Sequence, residues 1–166
     1  MKVGILMGST SDESKMSKAK ETLEEFGIES ECKVLSAHRN PDKVVNLVST
    51  ARENGFVAFI CGAGMAAHLA GVVAAHTTLP VVGVPLSGGA LNGQDALYAT
   101  VQMPKGVPVA TVAIDGSQNA ALLVLQMIGI TDSEIAEKLQ KYKEEMACLL
   151  YTSPSPRDRT RSRMPS

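Results

Sequence analysis

"KVGILMGSTSDESKMSKAKETLEEFG", residues 2–27, opens the chain with an apolar run, a glycine-serine break and a polar segment in which apolar residues return at intervals. Met16, Ala19, Leu23 and Phe26 lie three or four residues apart, so they share one face of a helix, and Gly27 suits its C-cap. The stretch reads as strand, loop and amphipathic helix, and that unit recurs along the chain. "IESECKVLSA" precedes "HRNP", where Pro41 can open a helix through "DKVVNLVSTAREN" to Gly55. "FVAFICGAG" leads into the small-residue helix "MAAHLAGVVAAHTT". "LPVVGVPLS" runs through a glycine-rich exit, "GGALNGQD", into "ALYATVQM". "VPVATVAID" is a fifth strand, followed by two closing helices, "SQNAALLVLQMIG" and "TDSEIAEKLQKYKEEMA".

Strands that are apolar on both faces and alternate with helices imply a parallel sheet covered on each side. The expected fold is α/β: a three-layer, doubly wound parallel sheet, flavodoxin-like or Rossmann-like, in a single domain. Ligands of such sheets bind beyond the carboxyl ends of the strands. The informative loops are therefore residues 8–12, 36–41, 62–68 and 86–95.

Composition narrows the function classes. The chain has 166 residues and 45% hydrophobic content, enough for one domain with a real core. Its apolar runs are short of the roughly 20 residues that cross a bilayer, and "MKVGILMGS" is too short for a signal peptide, so a soluble cytoplasmic protein is expected. Cys32, Cys61 and Cys148 have no CxxC spacing, which points to reduced, inert thiols and to no metal site. The formal charge of −1 hides an asymmetry: Arg157, Arg159, Arg161 and Arg163 stand near the end against Asp158 alone. Without them the body carries about −4 and has no general attraction for nucleic acid. The end itself, "CLLYTSPSPRDRTRSRMPS", residues 148–166, is rich in Ser, Pro and Arg and is expected to be disordered. Its first part resembles a translated sequencing-library adapter, so we expect a folded domain over 1–147 and a non-native tail over 148–166. A natural basic tail is the competing expectation.

Each loop carries a chemical and a structural reading. In "MGSTSD", Ser9, Thr10, Ser11 and Asp12 can offer hydroxyls and amides to a phosphate at a helix start, or can simply cap that helix. No Walker A lysine and no GxGxxG is present, which disfavours nucleoside triphosphates and dinucleotides. In "CGAGMAAHLAG", Gly62 and Gly64 allow close approach of a ligand or of another backbone. His68 lies about one turn into the following helix, where a structural hydrogen bond is an ordinary role. His76, near that helix's end, suits the helix dipole or the surface. "SAHRNPD" pairs His38, which can exchange a proton at cellular pH, with Arg39, which stays charged and suits a phosphate or carboxylate. Asn40 before Pro41 holds a turn or extended conformation that fixes both; a solvated loop is the bland alternative.

Taken in order, "MGSTSD", "SAHRNPDK", "GAGMAAHLAG", "GVPLSGGALNGQDALYATVQMPKGVPVATVAI" and "NAALL" resemble the N5-carboxyaminoimidazole ribonucleotide mutases, the class I aminoimidazole ribonucleotide carboxylases of purine synthesis, over about residues 2–145. The resemblance implies a flavodoxin-like fold and a homo-octamer with sites at subunit junctions. It also implies a carboxylate shift within a ribonucleotide, without ATP, metal or organic cofactor. Carried over by residue, Ser9, Ser11, Asp12 and Arg39 would hold the ribose phosphate, Ser36 and Ala37 would line the site, and His38 would be the acid-base group. Gly64, Met65, Ala66 and His68 would border the pocket for the migrating carboxylate. Met65 stands where many members have a second glycine, and Ala70 where many have proline. Two alternatives stay open: direct carboxylation of aminoimidazole ribonucleotide with carbon dioxide, and a non-catalytic nucleotide-binding module.

Overall fold

The computed structural model describes the chain through residue 152, with side-chain surroundings through residue 148. Five strands, β1 (Lys2–Met7), β2 (Glu29–Val34), β3 (Phe56–Gly64), β4 (Val81–Leu86) and β5 (Ala110–Thr111), form one sheet in the order β2-β1-β3-β4-β5. Every pairing is parallel. Parallel neighbours need a crossover, and four helices supply it: α1 (Glu13–Glu25), α2 (Pro41–Ser49), α3 (Leu69–His76) and α4 (Gln94–Val101), while α5 (Ser117–Ile128) follows β5. A last helix, α6 (Ser133–Thr152), follows. The chain divides into two compact units, Met1–Met127 and Ile128 onward.

Alternation along the strands divides the core of the first unit. Leu6, Phe59, Cys61 and Val81 point to one face, where Val44 and Val48 of α2 and Leu69, Ala70 and Val73 of α3 bury against them. On the other face Met16 of α1 lies so close over Gly62 that a side chain there would collide with it. Helix α1 keeps the expected register, with Met16, Ala19, Thr22 and Leu23 buried. Its end closes at Gly27, whose N–H donates to Glu24 O (2.9 Å) while Ile28 N–H donates to Leu23 O (2.9 Å).

Four details differ from the sequence reading. Strand β2 is not apolar on both faces: it lies at the sheet edge, and its residues are exposed or half-buried. Lys2 and Lys33 both pair with Glu31 there (2.6 Å each), charges that blunt an open edge. Helix α2 stops at Ser49 rather than running to Gly55, because Thr50 and Asn54 close turns instead (Asn54 N–H to Thr50 O, 3.1 Å). Strand β5 keeps only Ala110 and Thr111, the residues in register with Val82 and Gly83 of β4, and beyond them the contact continues as single bonds, Val112 N–H to Gly83 O (3.2 Å) and Asp115 N–H to Pro85 O (2.9 Å). His68 is the N-cap of α3 rather than a residue one turn inside it. Residues 65–68 are taken up by tight turns, with Ala67 N–H on Met65 O (2.9 Å) and His68 N–H on Ala66 O (2.8 Å).

In the second unit Asp132 accepts from Ile135 N–H (3.1 Å) at the start of α6. Glu134 pairs with Lys138 one turn later (2.7 Å), in the orientation that supports a helix. Helix α6 continues past the expected boundary at residue 147 as far as Thr152. The rest of the expected tail, residues 153–166, lies outside the described residues. No described helix is long and apolar enough to cross a membrane.

Gly83 in β4 marks a tight seam between β4, α4 and α3. A Cβ there would run into the Thr100 methyl of α4 and stand 3.0 Å from Val109 and 3.3 Å from Ala70. Thr100 cannot yield easily, being buried and donating to Ala96 O (2.7 Å). We predict that Gly83→Ala lowers stability by about 1–3 kcal/mol in urea unfolding. Gly62→Ala should cost less, because flexible Met16 can adopt another rotamer; the reverse order would contradict this packing.

Candidate active site

The order of the sheet reverses at β1, and the loops that leave β1 and β3 there diverge to opposite faces. Between them, with the loops after β2 and β4, lies a cleft of about 630 Å³. It is lined by Ser9, Ser11, Asp12, Ser36, Ala37, His38, Arg39, Gly64, Met65, Ala66 and His68. Every residue that the resemblance assigned to the site therefore reaches one place, whereas Thr10, Gly62 and His76 are not among its lining residues.

The first loop folds into a 3-10 turn, Thr10–Asp12, capped at both ends of the motif. Ser9 Oγ accepts from Ser11 N–H (3.4 Å), and Asp12 Oδ2 accepts from Ser9 N–H (3.0 Å). Ser11 Oγ–H donates to Ser9 Oγ (3.0 Å). Capping is thus realised, and the hydroxyls still line the cleft. Burial pushes the Asp12 carboxyl above its usual range, against the opposing pull of Ser9 N–H, Lys15 and Ser11. A carboxyl raised in this way favours folding at acid pH, and that contribution is lost as pH rises through its folded value.

The second loop is a closed turn. Ser36 N–H donates to Asn40 Oδ1 (2.7 Å), and Asn40 N–H donates to Ser36 O (3.0 Å). Asn40 spends its side chain on this turn and makes no side-chain cap on α2, where Pro41 occupies the first turn. Ser36 Oγ then accepts from Arg39 N–H (3.2 Å) and Arg39 Nε–H (3.4 Å), while Arg39 Nη2–H donates to Gly8 O (3.0 Å). The guanidinium so bridges the loops after β2 and β1, and its other N–H groups are open to an anion. His38 is held from the third loop: its Nε2 lies 2.8 Å from His68 Nδ1, with the rings nearly perpendicular at 82°. One ring must donate and the other accept, so the pair shares a single proton along that line.

Several lining residues were not foreseen. Lys15, three residues beyond Asp12, reads in the sequence as one more polar position of α1; in the fold it reaches the loop after β4. Its Nζ donates to Ser87 O and to Ser87 Oγ (2.9 Å) and lies 4.0 Å from Asp115 Oδ1. Ser87, Gly88 and Gly89 belong to a loop flagged as glycine-rich, yet nothing in its spacing singled them out. Asp115 accepts from Ser87 N–H (2.9 Å). Burial alone would raise its carboxyl, but the Ser87 hydroxyl and N–H and the Lys15 charge outweigh burial and hold it below the usual range. Cys61 is fully buried, which pushes its thiol far up and keeps it unreactive. Among the described residues, no group of three or more His, Cys, Asp or Glu could hold a metal ion.

Met65 sits at φ 51, a left-handed conformation that a side chain adopts at a cost of about 1–2 kcal/mol. Its side chain is 60% exposed, so little burial offsets that strain. Glycine relieves the strain and gives back about 0.5–1 kcal/mol as backbone entropy. We predict that Met65→Gly leaves stability unchanged or raises it by up to about 1 kcal/mol in urea unfolding. A clear loss of stability would contradict the strain.

Comparison with known proteins adds an independent line. A chain from Pyrococcus abyssi named N5-carboxyaminoimidazole ribonucleotide mutase is 54% identical over 145 residues, covering 87% of this chain and 83% of that one. A protein of the same name from Thermotoga maritima is 52% identical over 145 residues, covering 87% and 85%. One from Vibrio vulnificus is 49% identical over 158 residues, covering 94% and 98%. Among solved structures, Treponema denticola PurE superposes with a TM-score of 0.80 at 30% identity, over 90% of this chain and 93% of that one. The family model described as AIR carboxylase matches residues 2–148, and the chain belongs to that family.

Proposed function

We propose that this protein is an isomerase of purine biosynthesis that converts N5-carboxyaminoimidazole ribonucleotide to 4-carboxy-5-aminoimidazole ribonucleotide. The observation that carries the reading is the single cleft in which the serine loop, the His38–Arg39 turn and the Gly64–His68 loop meet. The names borne by relatives at about half identity point the same way.

The chemistry assigns the parts. The substrate bears a carboxylate on the exocyclic amine and a hydrogen on ring carbon 4; the product bears a free amine and a carboxylate on that carbon. The nitrogen–carbon bond breaks, carbon dioxide is released into the cleft, and carbon 4 of the electron-rich ring attacks it. One proton must reach the amine and one must leave carbon 4, so a single acid-base group can serve both steps. His38, whose imidazole can both accept and give a proton, takes that role, with His68 steadying its ring. Arg39 receives the phosphate alongside Ser9 and Ser11, Asp12 accepts from a ribose hydroxyl, and Ser36 and Ala37 form the wall between. Gly64, Met65 and Ala66 border the carboxylate, where the glycine and the alanine leave room for a three-atom gas.

His38, Arg39 and Met65 are exposed in the single chain. A labile N-carboxylate needs cover, and in this reading neighbouring copies of a homo-octamer supply it. The reading also places the enzyme in the cytoplasm, and assigns the activity to a domain over about residues 1–147. A flavin-binding module is disfavoured because no phenylalanine or tyrosine is among the residues lining the cleft.

Protein ending at Ala147 should convert the N-carboxylated ribonucleotide stoichiometrically in bicarbonate-poor buffer. Turnover only of aminoimidazole ribonucleotide with added bicarbonate would instead select direct carboxylation. His38→Asn should lower kcat by about 10²-fold or more with nearly unchanged ribonucleotide binding. Activity within about tenfold of the parent would remove His38 from proton transfer. Arg39→Ala should weaken binding by about 10- to 150-fold, the loss expected for hydrogen bonds to a charged group.

A further inference from the structure

Lys15 occupies the first turn of α1, where the helix dipole disfavours a cation. Its ammonium is not left to solvent. It donates to both oxygens of Ser87, and its charge faces the carboxylate of Asp115, whose Oδ1 lies 4.0 Å from Nζ. Ser87 and Asp115 are joined to each other as well, through Ser87 N–H on Asp115 Oδ1 (2.9 Å). The backbone around Asp115 is built to present that carboxylate. Asp115 itself is left-handed, at φ 58, its N–H donates to Pro85 O (2.9 Å), and a side chain on Gly116 would meet Ala113 O at 2.8 Å. Two residues on, buried Ser117 donates through Oγ to the Lys15 carbonyl (2.6 Å), so the same segment grips Lys15 by both side chain and main chain.

What this cluster restrains is the start of the loop after β4. Gly88 and Gly89, at φ 150 and φ 62, have no side chains with which to anchor themselves, yet they line the cleft with Met65 close behind Gly89. Ser87 is therefore the last fixed point before a stretch of backbone that faces the ligand. Held by Ser87 and facing Asp115, Lys15 acts on that wall rather than as a further anion ligand.

We infer that Lys15, Ser87 and Asp115 form a clasp that positions the Ser87–Gly89 wall of the cleft, making Lys15 a positioning residue for substrate binding. The inference rests on the proposed function for its consequence in catalysis, but not for the clasp itself. Two readouts separate them. Amide hydrogen exchange over residues 86–93, followed by mass spectrometry on the full chain, reads the clasp whatever the reaction is. Lys15→Met should speed exchange there about tenfold, Ser87→Ala by a smaller factor, and Lys15→Arg, which keeps a donor of similar reach, should restore slow exchange. In the mutase assay Lys15→Met should raise KM about tenfold while kcat changes less than threefold, with Lys15→Arg again recovering most of the loss. Unchanged exchange in Lys15→Met overturns the clasp. Faster exchange with an unchanged KM overturns its role in binding, as does a fall in kcat without a rise in KM. If Lys15→Met does not fold, Asp115→Asn decides by the same two readouts, since it removes the charge that draws the ammonium to Ser87.

Discussion

The pairing of β1 with β2 on one side and β3 on the other is the constraint on which the rest depends. Parallel strands cannot be joined by tight turns, so each strand must exit at the same edge of the sheet and return through a helix. Once the order runs β2-β1-β3, the segments after β1 and β3 leave toward opposite faces and a crevice opens between them. The residues lining the cleft are then brought together by topology from turns that are far apart in sequence. The His38–His68 contact, across thirty positions, and the Arg39–Gly8 contact, across thirty-one, are products of that arrangement.

Much of this was legible in residues alone because the signals were local. The β1 run, the register of α1 and the Gly27 stop are written in short-range periodicity, and each appears where the pattern placed it. The differences have non-local causes. "ESECKV" became an edge strand because nothing pairs on its outer side, a fact no window of six residues contains. The fifth strand shrank because only Ala110 and Thr111 fall in register with β4, after which single bonds from Val112 and Asp115 take over. His68 moved from a helix interior to an N-cap because residues 65–68 are consumed by turns, one of them at a left-handed methionine. The cleft residues that the motifs marked were collected as expected, whereas Lys15 was invisible. A lysine on a polar helix face carries no mark of the partner that awaits it 72 residues away.

The serine loop shows how two readings of one motif can hold together. Ser9 and Asp12 satisfy each other's neighbouring amides, so the loop is a well-made helix start. That order gives the loop a fixed shape at the cleft, the preorganisation on which the proposed phosphate site would draw. The same economy applies to Asn40, whose side chain closes the Ser36–Asn40 turn and leaves His38 and Arg39 on a rigid support.

The central claim is that these loops enclose one site in which a carboxylate leaves nitrogen and rejoins carbon without escaping. It is tested most directly with substrate carrying carbon-13 in its N-carboxylate, turned over in buffer containing unlabelled bicarbonate. The account predicts that the product carries the label at its ring carboxylate in nearly the proportion of the substrate. A product carboxylate at the isotopic composition of the buffer would contradict it.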